Sequence, residues 1–264
     1  MKKITLFSFL IVIAFAACRK ENVIITPAPA PILVTPALKK LVKSNSSYST
    51  GFSTIKNTTY FDYNSNGAIR KNTYSFYDVG VDSTVTAVFY TYKPNLLEMS
   101  DENGKIIALC HLNSDGFVTI DSTSDYNYID TYDANKYKVK GEVYNRKTKK
   151  IESNVVLKYE NERLISTFST YFGINTSKNT TSETIYTYDK EILNTIGGAY
   201  AGVNFQGKQS KYLHTKEVTI TSDKPSQKSR TDYIYEMNAE GYVTKQTEKF
   251  ADDNTETVTT YIYK

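Results

Sequence analysis

The sequence predicts an all-β protein built as a meander of antiparallel hairpins, and three observations lead to this prediction. A turn motif with Asn or Asp first and Gly fourth recurs along the chain. The segments around it alternate between apolar and polar residues. Past the N-terminal region, no segment has the sustained apolar spacing of an amphipathic helix.

The turn motif occurs four times, and each copy is followed two places after its Gly by a β-branched residue. The side chain of Asn or Asp can hydrogen-bond the backbone two residues on, and Gly accepts a positive φ without a Cβ clash. This pattern is typical of a hairpin with a type I turn and a bulge. The turn-forming pairs are Asn64 and Gly67, Asp101 and Gly104, Asn113 and Gly116, and Asn238 and Gly241.

Strands are predicted between the turns because the side chains alternate with a period of two. In residues 231–237, Tyr233 and Tyr235 fall on one face and Ile234 on the other. The run from Leu38 to Lys43 suits a first strand as well as a short helix. Other segments with this alternation, rich in Thr, Tyr, Val and Ile, are 85–92, 155–159, 184–188 and 258–263.

The composition indicates how the strands are arranged. The chain has 264 residues, with 23 Tyr, 12 Phe and no Trp. Tyrosine has an apolar ring and a polar tip, so it suits a sheet face that is only partly covered. We therefore expect a single long curved antiparallel sheet, half-barrel-like, with a buried aliphatic face and a partly wet Tyr/Thr face. A closed barrel and a two-sheet sandwich are the alternatives.

The N-terminal segment predicts export. Lys2 and Lys3 precede an apolar run that is too short to span a bilayer, so residues 1–17 are predicted to be a signal peptide. The sequence Phe15-Ala16-Ala17-Cys18 resembles the lipobox of bacterial lipoproteins. This resemblance implies that Cys18 is acylated and becomes the mature N-terminus. The alternative is cleavage after Ala16 by the ordinary signal peptidase, which gives a soluble secreted protein.

Residues 18–37 are predicted to be a tether, and residues 38–264 the β domain. Four of the six prolines fall in the tether, where their spacing favours an extended spacer. At about 3 Å per residue, such a spacer reaches about 60 Å from the membrane.

Charge and cysteine content exclude several classes of function. Removal of Lys2 and Lys3 lowers the formal charge from +4 to +2, and the remaining basic residues form no strong cluster, so no nucleic-acid partner is expected. With Cys18 acylated, Cys110 has no cysteine partner, and it is predicted to be a small hydrophobic strand residue.

Catalytic and metal-binding motifs are absent from the sequence, which predicts a protein without enzymatic activity or cofactors. His111 and His214 are the two histidines, and neither has zinc-ligand spacing around it. No G-x-S-x-G elbow occurs. Residues 202–209 match the spacing of a phosphate-binding loop, but Gln209 stands where Ser or Thr is required. A glycosidase with two opposed carboxylates stays open, because the fold sets that spacing.

The segment 196–208 is the least hairpin-like part of the domain, since it is apolar and rich in Gly. We expect it to fold against a face of the sheet as a plug or lid. In a functional interpretation it forms one wall of a ligand cleft. The candidate ligand contacts are Tyr200 and Phe205 in this segment, and Tyr233 and Tyr235 on the predicted strand 231–237.

The hairpins also carry a family resemblance. The stretches YFDYNSNGAIRKNTY and YIYEMNAEGYVTKQT resemble the Tyr-Asp hairpin repeats of Rhs-type cell-surface proteins. With the lipobox and spacer, the chain is similar to uncharacterised lipoproteins of Bacteroidota. The resemblance implies a lipid-anchored outer-membrane protein, with its periplasmic or surface orientation open, and contact with carbohydrate. It also implies two O-glycosylation sites, at Asp82-Ser83-Thr84 and Asp121-Ser122-Thr123.

Three functions are compatible with these observations. The preferred one is a non-enzymatic binding or scaffold lipoprotein, whose exposed Tyr/Thr face contacts a glycan or another envelope protein. The second is a carrier of a lipid or another hydrophobic ligand, held in a cleft capped by residues 196–208. The third is a glycosidase.

Overall fold

The computed structural model describes residues 39–49, 54–78, 81–173 and 178–264. The predicted signal peptide, the acylated Cys18 and the predicted tether lie outside the described residues. The same holds for the side chains of Asp82 and Ser83 in the first candidate O-glycosylation site.

The described residues form strands almost throughout, with one short 3-10 turn, η1 (Asn204–Gln206). The strands are β1 (Leu41–Ser49), β2 (Thr54–Tyr63), β3 (Ile69–Asp78), β4 (Val81–Lys93), β5 (Leu96–Ser100), β6 (Ile106–Leu112), β7 (Val118–Ser122), β8 (Tyr126–Tyr132), β9 (Lys138–Asn145), β10 (Lys150–Glu160), β11 (Arg163–Tyr171), β12 (Thr180–Thr187), β13 (Ile192–Leu193), β14 (Tyr212–Leu213), β15 (Lys216–Thr221), β16 (Lys224–Met237), β17 (Val243–Phe250) and β18 (Glu256–Tyr263).

Sixteen of these strands form one closed antiparallel barrel, in which each strand pairs with its neighbours along the chain and β12 is followed by β15. The barrel closes where β18 pairs with β1. The predicted all-β class is confirmed, and the closed barrel named as an alternative replaces the open half-barrel. Among the described residues, no helix is long and apolar enough to cross a membrane.

The four Asn/Asp-x-x-Gly motifs are hairpin turns. At Asn113, for example, the backbone carbonyl accepts a hydrogen bond from Gly116 N at 2.9 Å, and the side-chain oxygen accepts from Phe117 N at 2.9 Å. The φ of Gly116 is 81°, a conformation that costs a residue with a Cβ about 1–2 kcal/mol. The motif therefore reverses the chain locally, without help from distant contacts.

The pairing register identifies the face of each strand that points into the barrel, because paired residues share a face. Leu97 and Cys110 are paired and are 0% and 2% exposed, which marks their face as inward. The same face continues around the wall through one residue on each of the next strands: Asp121, Tyr128, Val143, Ser153 and Tyr171.

The inner face of the barrel differs from the buried aliphatic face that the sequence predicted. Inward positions carry most of the Tyr side chains of the strands, together with aliphatic residues such as Leu97 and Val143, whereas other aliphatic side chains lie on the outside, where Val85 is 60% exposed. A sixteen-stranded ring encloses a lumen that is too wide for short aliphatic side chains to fill. Tyrosine rings reach further into the lumen and carry hydroxyls that find hydrogen-bond partners there. Other exposed outward side chains are Val156, Phe168, Ile185, Ile234 and Ile262.

The outward face also carries alternating charges. Lys216, Asp232, Lys249 and Glu256 are paired in sequence across β15 to β18, so they form one row. Lys216 begins β15 at one end of the barrel, and Glu256 begins β18 at the other end. The row therefore places charged side chains on the outer face of four adjacent strands.

Residues 188–215, which we call the plug, connect β12 to β15 and contain β13, η1 and β14. The plug lies across one end of the barrel and bonds to the ends of several hairpins there. Gly202 O accepts from Ile69 N at 3.3 Å, Lys208 N donates to Lys136 O at 2.8 Å, and Lys211 N donates to Glu162 O at 2.9 Å. These contacts close one end of the lumen.

The plug is also joined to the strands that close the ring. The buried Thr195 accepts a hydrogen bond from Val243 N at its hydroxyl and one from the Tyr263 hydroxyl at its carbonyl. Tyr200 O accepts from Leu41 N at 2.9 Å. At the same end, Lys40 and Lys264 exchange two backbone hydrogen bonds. We call this the plugged end, and the other the far end.

Candidate functional site

The candidate site is a cavity of ≈ 900 Å³ inside the barrel, between the plug and the wall from β4 to β11. Its size is that of a pocket for a small organic ligand. Its lining combines aromatic, aliphatic and charged side chains: Tyr90, Tyr128 and Tyr171; Met99, Val118, Val143 and Val155; and Asp121, Asp130 and Lys138.

The plug supplies the floor of this cavity. Phe205 on η1 is 9% exposed and packs against Ile69, Leu97 and Val118, with its ring centroid 6.2 Å from that of Tyr90. An apolar side chain in a connecting segment is stable only where it has an apolar surface to cover, and here that surface is the end of the lumen. The apolar composition of this segment thus gives the barrel a closed end.

Asp121 is the least satisfied charged group of the cavity. Its side chain points inward from β7 beside Cys110, and its Oδ1 is enclosed without a hydrogen-bond partner among the described residues. Burial raises the pKa of Asp121, and burial together with Asp121 raises the pKa of the Cys110 thiol to about 12. The thiol is therefore protonated at neutral pH and does not act as a nucleophile.

Asp130, the next acidic residue of the wall, has a counter-ion. Lys138 Nζ lies 2.6 Å from Asp130 Oδ1, and both side chains border Gly141. A Cβ at Gly141 would lie 3.2 Å from atoms of Asp130, Lys138 and Val155. A glycine here leaves room for the ion pair to lie flat against the wall.

A second polar cluster lies on the wall formed by β15 to β18. His214 follows β14, and its ring contacts the rings of Tyr186 and Tyr233 at 4.8 and 4.6 Å. His214 Nε2 is 3.7 Å from Glu217 Oε2. Glu248 faces inward on β17 and accepts a hydrogen bond from the Gln246 amide at 2.7 Å.

Two influences act on His214 in opposite directions. The nearby Glu217 carboxylate favours the imidazolium, whereas burial among tyrosine rings favours the neutral ring. Burial is the larger effect and lowers the pKa of His214 to about 4. Burial also raises the pKa of Glu217, which weakens its attraction for a proton on His214. We therefore treat His214 as neutral at pH 7.

We expect this neutral histidine to make the fold less stable in acid. In the unfolded chain the His214 pKa is about 6.5, so below that pH the unfolded state binds a proton that the native state rejects until about pH 4. The contribution is fully present above pH 6.5 and is lost as the pH falls from about 6.5 to 4. Between pH 7.5 and 4.5 the loss is about 2–3 kcal/mol.

The measurement compares the free energy of unfolding of the wild type with that of His214→Gln at both pH values. The inward carboxylates Glu217 and Glu248 have raised pKa values and act in the opposite direction, so the wild type alone is not informative. The difference between the two proteins isolates the histidine. An equal acid loss in both would contradict a buried neutral His214.

The candidate contacts predicted from the sequence fall in different places. Phe205 lines the cavity floor. Tyr200 packs edge-on against Tyr242 at the rim of the plugged end, with ring centroids 5.9 Å apart. Tyr233 and Tyr235 point into the lumen and stack on each other. They belong to the wall formed by β15 to β18, beside His214, and do not line the cavity.

Sequence reasoning missed Tyr128, Asp130 and Lys138, and placed Asp121 only in a glycosylation motif. A signal was present in residues 126–132, YNYIDTY, where every second residue is Tyr or Asp. This alternation identifies a polar aromatic face. The cross-strand register that joins it to Asp121 could not be obtained from this stretch alone.

Several other sequence features have structural roles. His111 lies on the outward face of β6, and residues 202–209 belong to the plug, where no helix follows the glycine. In the second candidate O-glycosylation site, Ser122 points outward beside Leu109 and Asp121 points into the lumen. Within the described ranges, no group of three or more His, Cys, Asp or Glu side chains is placed to hold a metal ion.

Comparisons with known proteins provide structural relatives. No protein-family model matches the sequence, and no curated protein matches it. A porin-like protein from Bacteroides uniformis superposes with a TM-score of 0.65 at 16% identity, covering 87% of this chain and 98% of the other. A porin-like protein from Bacteroides vulgatus superposes with a TM-score of 0.58 at 10% identity, covering 83% and 97%.

The barrel has a porin-like fold. At these identities the likeness extends to the fold alone. The resemblance to Rhs-type repeats and to lipoproteins stays a prediction, as do the signal peptide and the acylation of Cys18.

Proposed function

We propose that this chain is a non-enzymatic envelope protein whose barrel is a binding cup for a glycan. In this proposal the acylated Cys18 holds the protein at the outer membrane, and the barrel stands in water. The carrying observation is the aromatic, hydroxyl-rich wall above the floor formed by Phe205. The porin-like relatives from Bacteroides support an envelope location.

The outer surface favours a barrel in water. A membrane-spanning barrel has an apolar outward band, and each Lys or Arg near the bilayer midplane costs about 2–4 kcal/mol. The row from Lys216 to Glu256 places four charged side chains on the outward faces of adjacent strands, which disfavours burial of this part of the wall in lipid. Ion pairs such as Lys140 with Glu142, at 2.9 Å, and Lys245 with Glu236, at 2.8 Å, lie on the same face.

The plug favours a cup over a pore. It is bonded to the hairpins on several sides of the barrel, so the route proposed for a ligand is the far end. Sugar rings stack on aromatic faces, while their hydroxyls bond to polar groups such as Ser153, Ser169 and Gln209 in the lining.

A carrier of hydrophobic ligands is the second candidate, favoured by the aliphatic part of the wall at Met99, Val118, Val143 and Val155. The charged Asp121, Asp130 and Lys138 in the same wall disfavour it, since a lipid tail leaves them without partners. A glycosidase is less well supported, because Asp121 and Asp130 lie on adjacent strands of one wall instead of facing each other across a groove.

The test uses a tryptophan reporter, because the chain has no Trp of its own. Tyr128, 40% exposed in the lumen, is replaced by Trp in residues 39–264, within which the barrel closes. We expect this protein to be soluble without detergent, and its tryptophan emission to shift when oligosaccharides from an envelope glycan library bind.

The control is Tyr60→Trp, which is 47% exposed on the outer face and should not respond. Equal responses at both positions, or a barrel that requires detergent, would contradict the proposal. A purified protein that carries bound lipid in native mass spectrometry and ignores every oligosaccharide would favour the carrier.

A further inference from the structure

The carboxylates of the outer face and those of the lumen differ in their ion pairing. On the outside, several acidic residues lie next to Lys or Arg: Asp232 is 2.9 Å from Arg230, and Glu236 is 2.8 Å from Lys245. Inside the lumen, no ion pair with Lys or Arg forms at Asp121, Glu217 or Glu248 within the described ranges. The lumen ammonium of Lys138 is engaged by Asp130.

Among these three carboxylates, Asp121 is the one that lines the cavity and can therefore contact a ligand there. One side of its carboxyl meets the Cys110 thiol, a weak donor, and Oδ1 has no donor at all in the described structure. A half-buried carboxylate without a donor is costly, and that cost is removed when a charged donor binds. A positively charged donor placed beside Asp121 would therefore be stabilised at this wall.

The opposite wall adds to the negative potential. Glu217 lies beside a neutral His214 and accepts a hydrogen bond from the Tyr233 hydroxyl. Glu248 accepts one from the Gln246 amide, so neither carboxylate has a cationic partner among the described residues. Burial raises the pKa of Glu248, and the nearby Glu217 carboxylate raises it further. A cleft lined by charges of one sign concentrates ligands of the opposite sign.

The rings around Asp121 suit the same kind of group. Tyr128 is its cross-strand partner, and Tyr90 lines the cavity two strands beyond Cys110. An ammonium group over a tyrosine face gains a cation–π attraction that a neutral amide does not. Aromatic rings and a carboxylate without a donor recognise a protonated amine better than they recognise a hydroxyl.

We infer that the ligand of the cavity carries a protonated amine, and that Asp121 is its counter-ion. This inference rests on the proposed glycan-binding function and narrows its ligand class to amine-bearing saccharides. Acetylation of the amine removes its positive charge, so an acetylated saccharide should lose the preference that Asp121 provides. An acidic sugar should be repelled by the Asp121 carboxylate.

The test uses two probes that differ only at the nitrogen: short glucosamine oligosaccharides and their N-acetylated counterparts. Calorimetric titration of the full chain at pH 7 should give a dissociation constant at least about tenfold lower for the amine form. Asp121→Asn should abolish this preference, and Asp121→Glu should retain part of it. Asp62→Asn, on the outer face beside Arg70, is the matched control and should leave the preference unchanged.

The outcomes separate this inference from the proposed function. Equal binding of both probes by the wild type overturns the amine requirement and leaves the glycan cup standing. If neither the two probes nor any other oligosaccharide binds, both the inference and the proposed function are overturned. If Asp121→Asn does not fold, the wild type decides: amine binding should weaken as the pH falls through the Asp121 pKa, while acetylated-probe binding stays constant. An unchanged preference in acid overturns the role of Asp121.

Discussion

Replacing Phe205 with alanine is expected to lower the free energy of unfolding by about 3–5 kcal/mol. The ring is buried against Ile69, Leu97 and Val118, which come from three different strands. Its removal leaves a void between the plug and the barrel, and the surrounding wall is fixed by strand pairing and cannot collapse into it. The measurement is equilibrium unfolding in urea, followed by circular dichroism.

Phe168→Ala is the control for this prediction. Phe168 is 45% exposed on the outer face of β11, and its loss should change stability by no more than about 1 kcal/mol. The contrast separates burial from residue type, because both substitutions remove the same side chain. Similar losses at the two positions would show that the plug does not seal the lumen as described.

The second large effect is expected at Gly202, where the plug passes over the β2–β3 hairpin. Gly202 has a φ of 70°, and a Cβ there would lie 2.7 Å from Tyr63 Cε1 and 3.0 Å from Ile69 N. Tyr63 cannot easily move aside, because its hydroxyl donates to Leu41 O. We expect Gly202→Ala to cost about 2–5 kcal/mol, as backbone strain and overpacking act together.

Gly104→Ala is the matched control, because Gly104 has a φ of 78° and a Cβ there meets nothing within 4 Å. It should carry only the backbone cost of about 1–2 kcal/mol. The difference between the two variants, measured as unfolding free energy, gives the contribution of the close approach. A Gly202 variant no less stable than the Gly104 variant would mean that the plug has room at this hairpin.

The sequence predicted those parts of the fold that depend on neighbouring residues. Asn113 and Gly116 specify a turn through their own backbone preferences, so the hairpins could be located without a structure. The alternation at Tyr233 and Tyr235 likewise identified a strand with a tyrosine face. The apolar segment 196–208 indicated a plug because its side chains needed a surface to cover.

Ring closure and the orientation of the faces were beyond local reasoning. Whether sixteen strands close depends on the register summed around the sheet, and no single hairpin contains that information. The same accumulated register determines that Asp121 and Tyr128 line one cavity together with plug residues such as Phe205. The expectation that the enclosed face would be wholly aliphatic failed for this reason, because tyrosine side chains share that face with aliphatic residues.

The pairing of β1 with β18 has a consequence for how the protein is made. During synthesis, β1 is made long before β18, the strand with which it pairs to close the barrel. One edge of β1 therefore stays unpaired until β18 is available. An unpaired edge can recruit strands from other chains, and contacts of such long sequence separation form slowly. The interval between the two is the period in which the newly made chain is most exposed to aggregation.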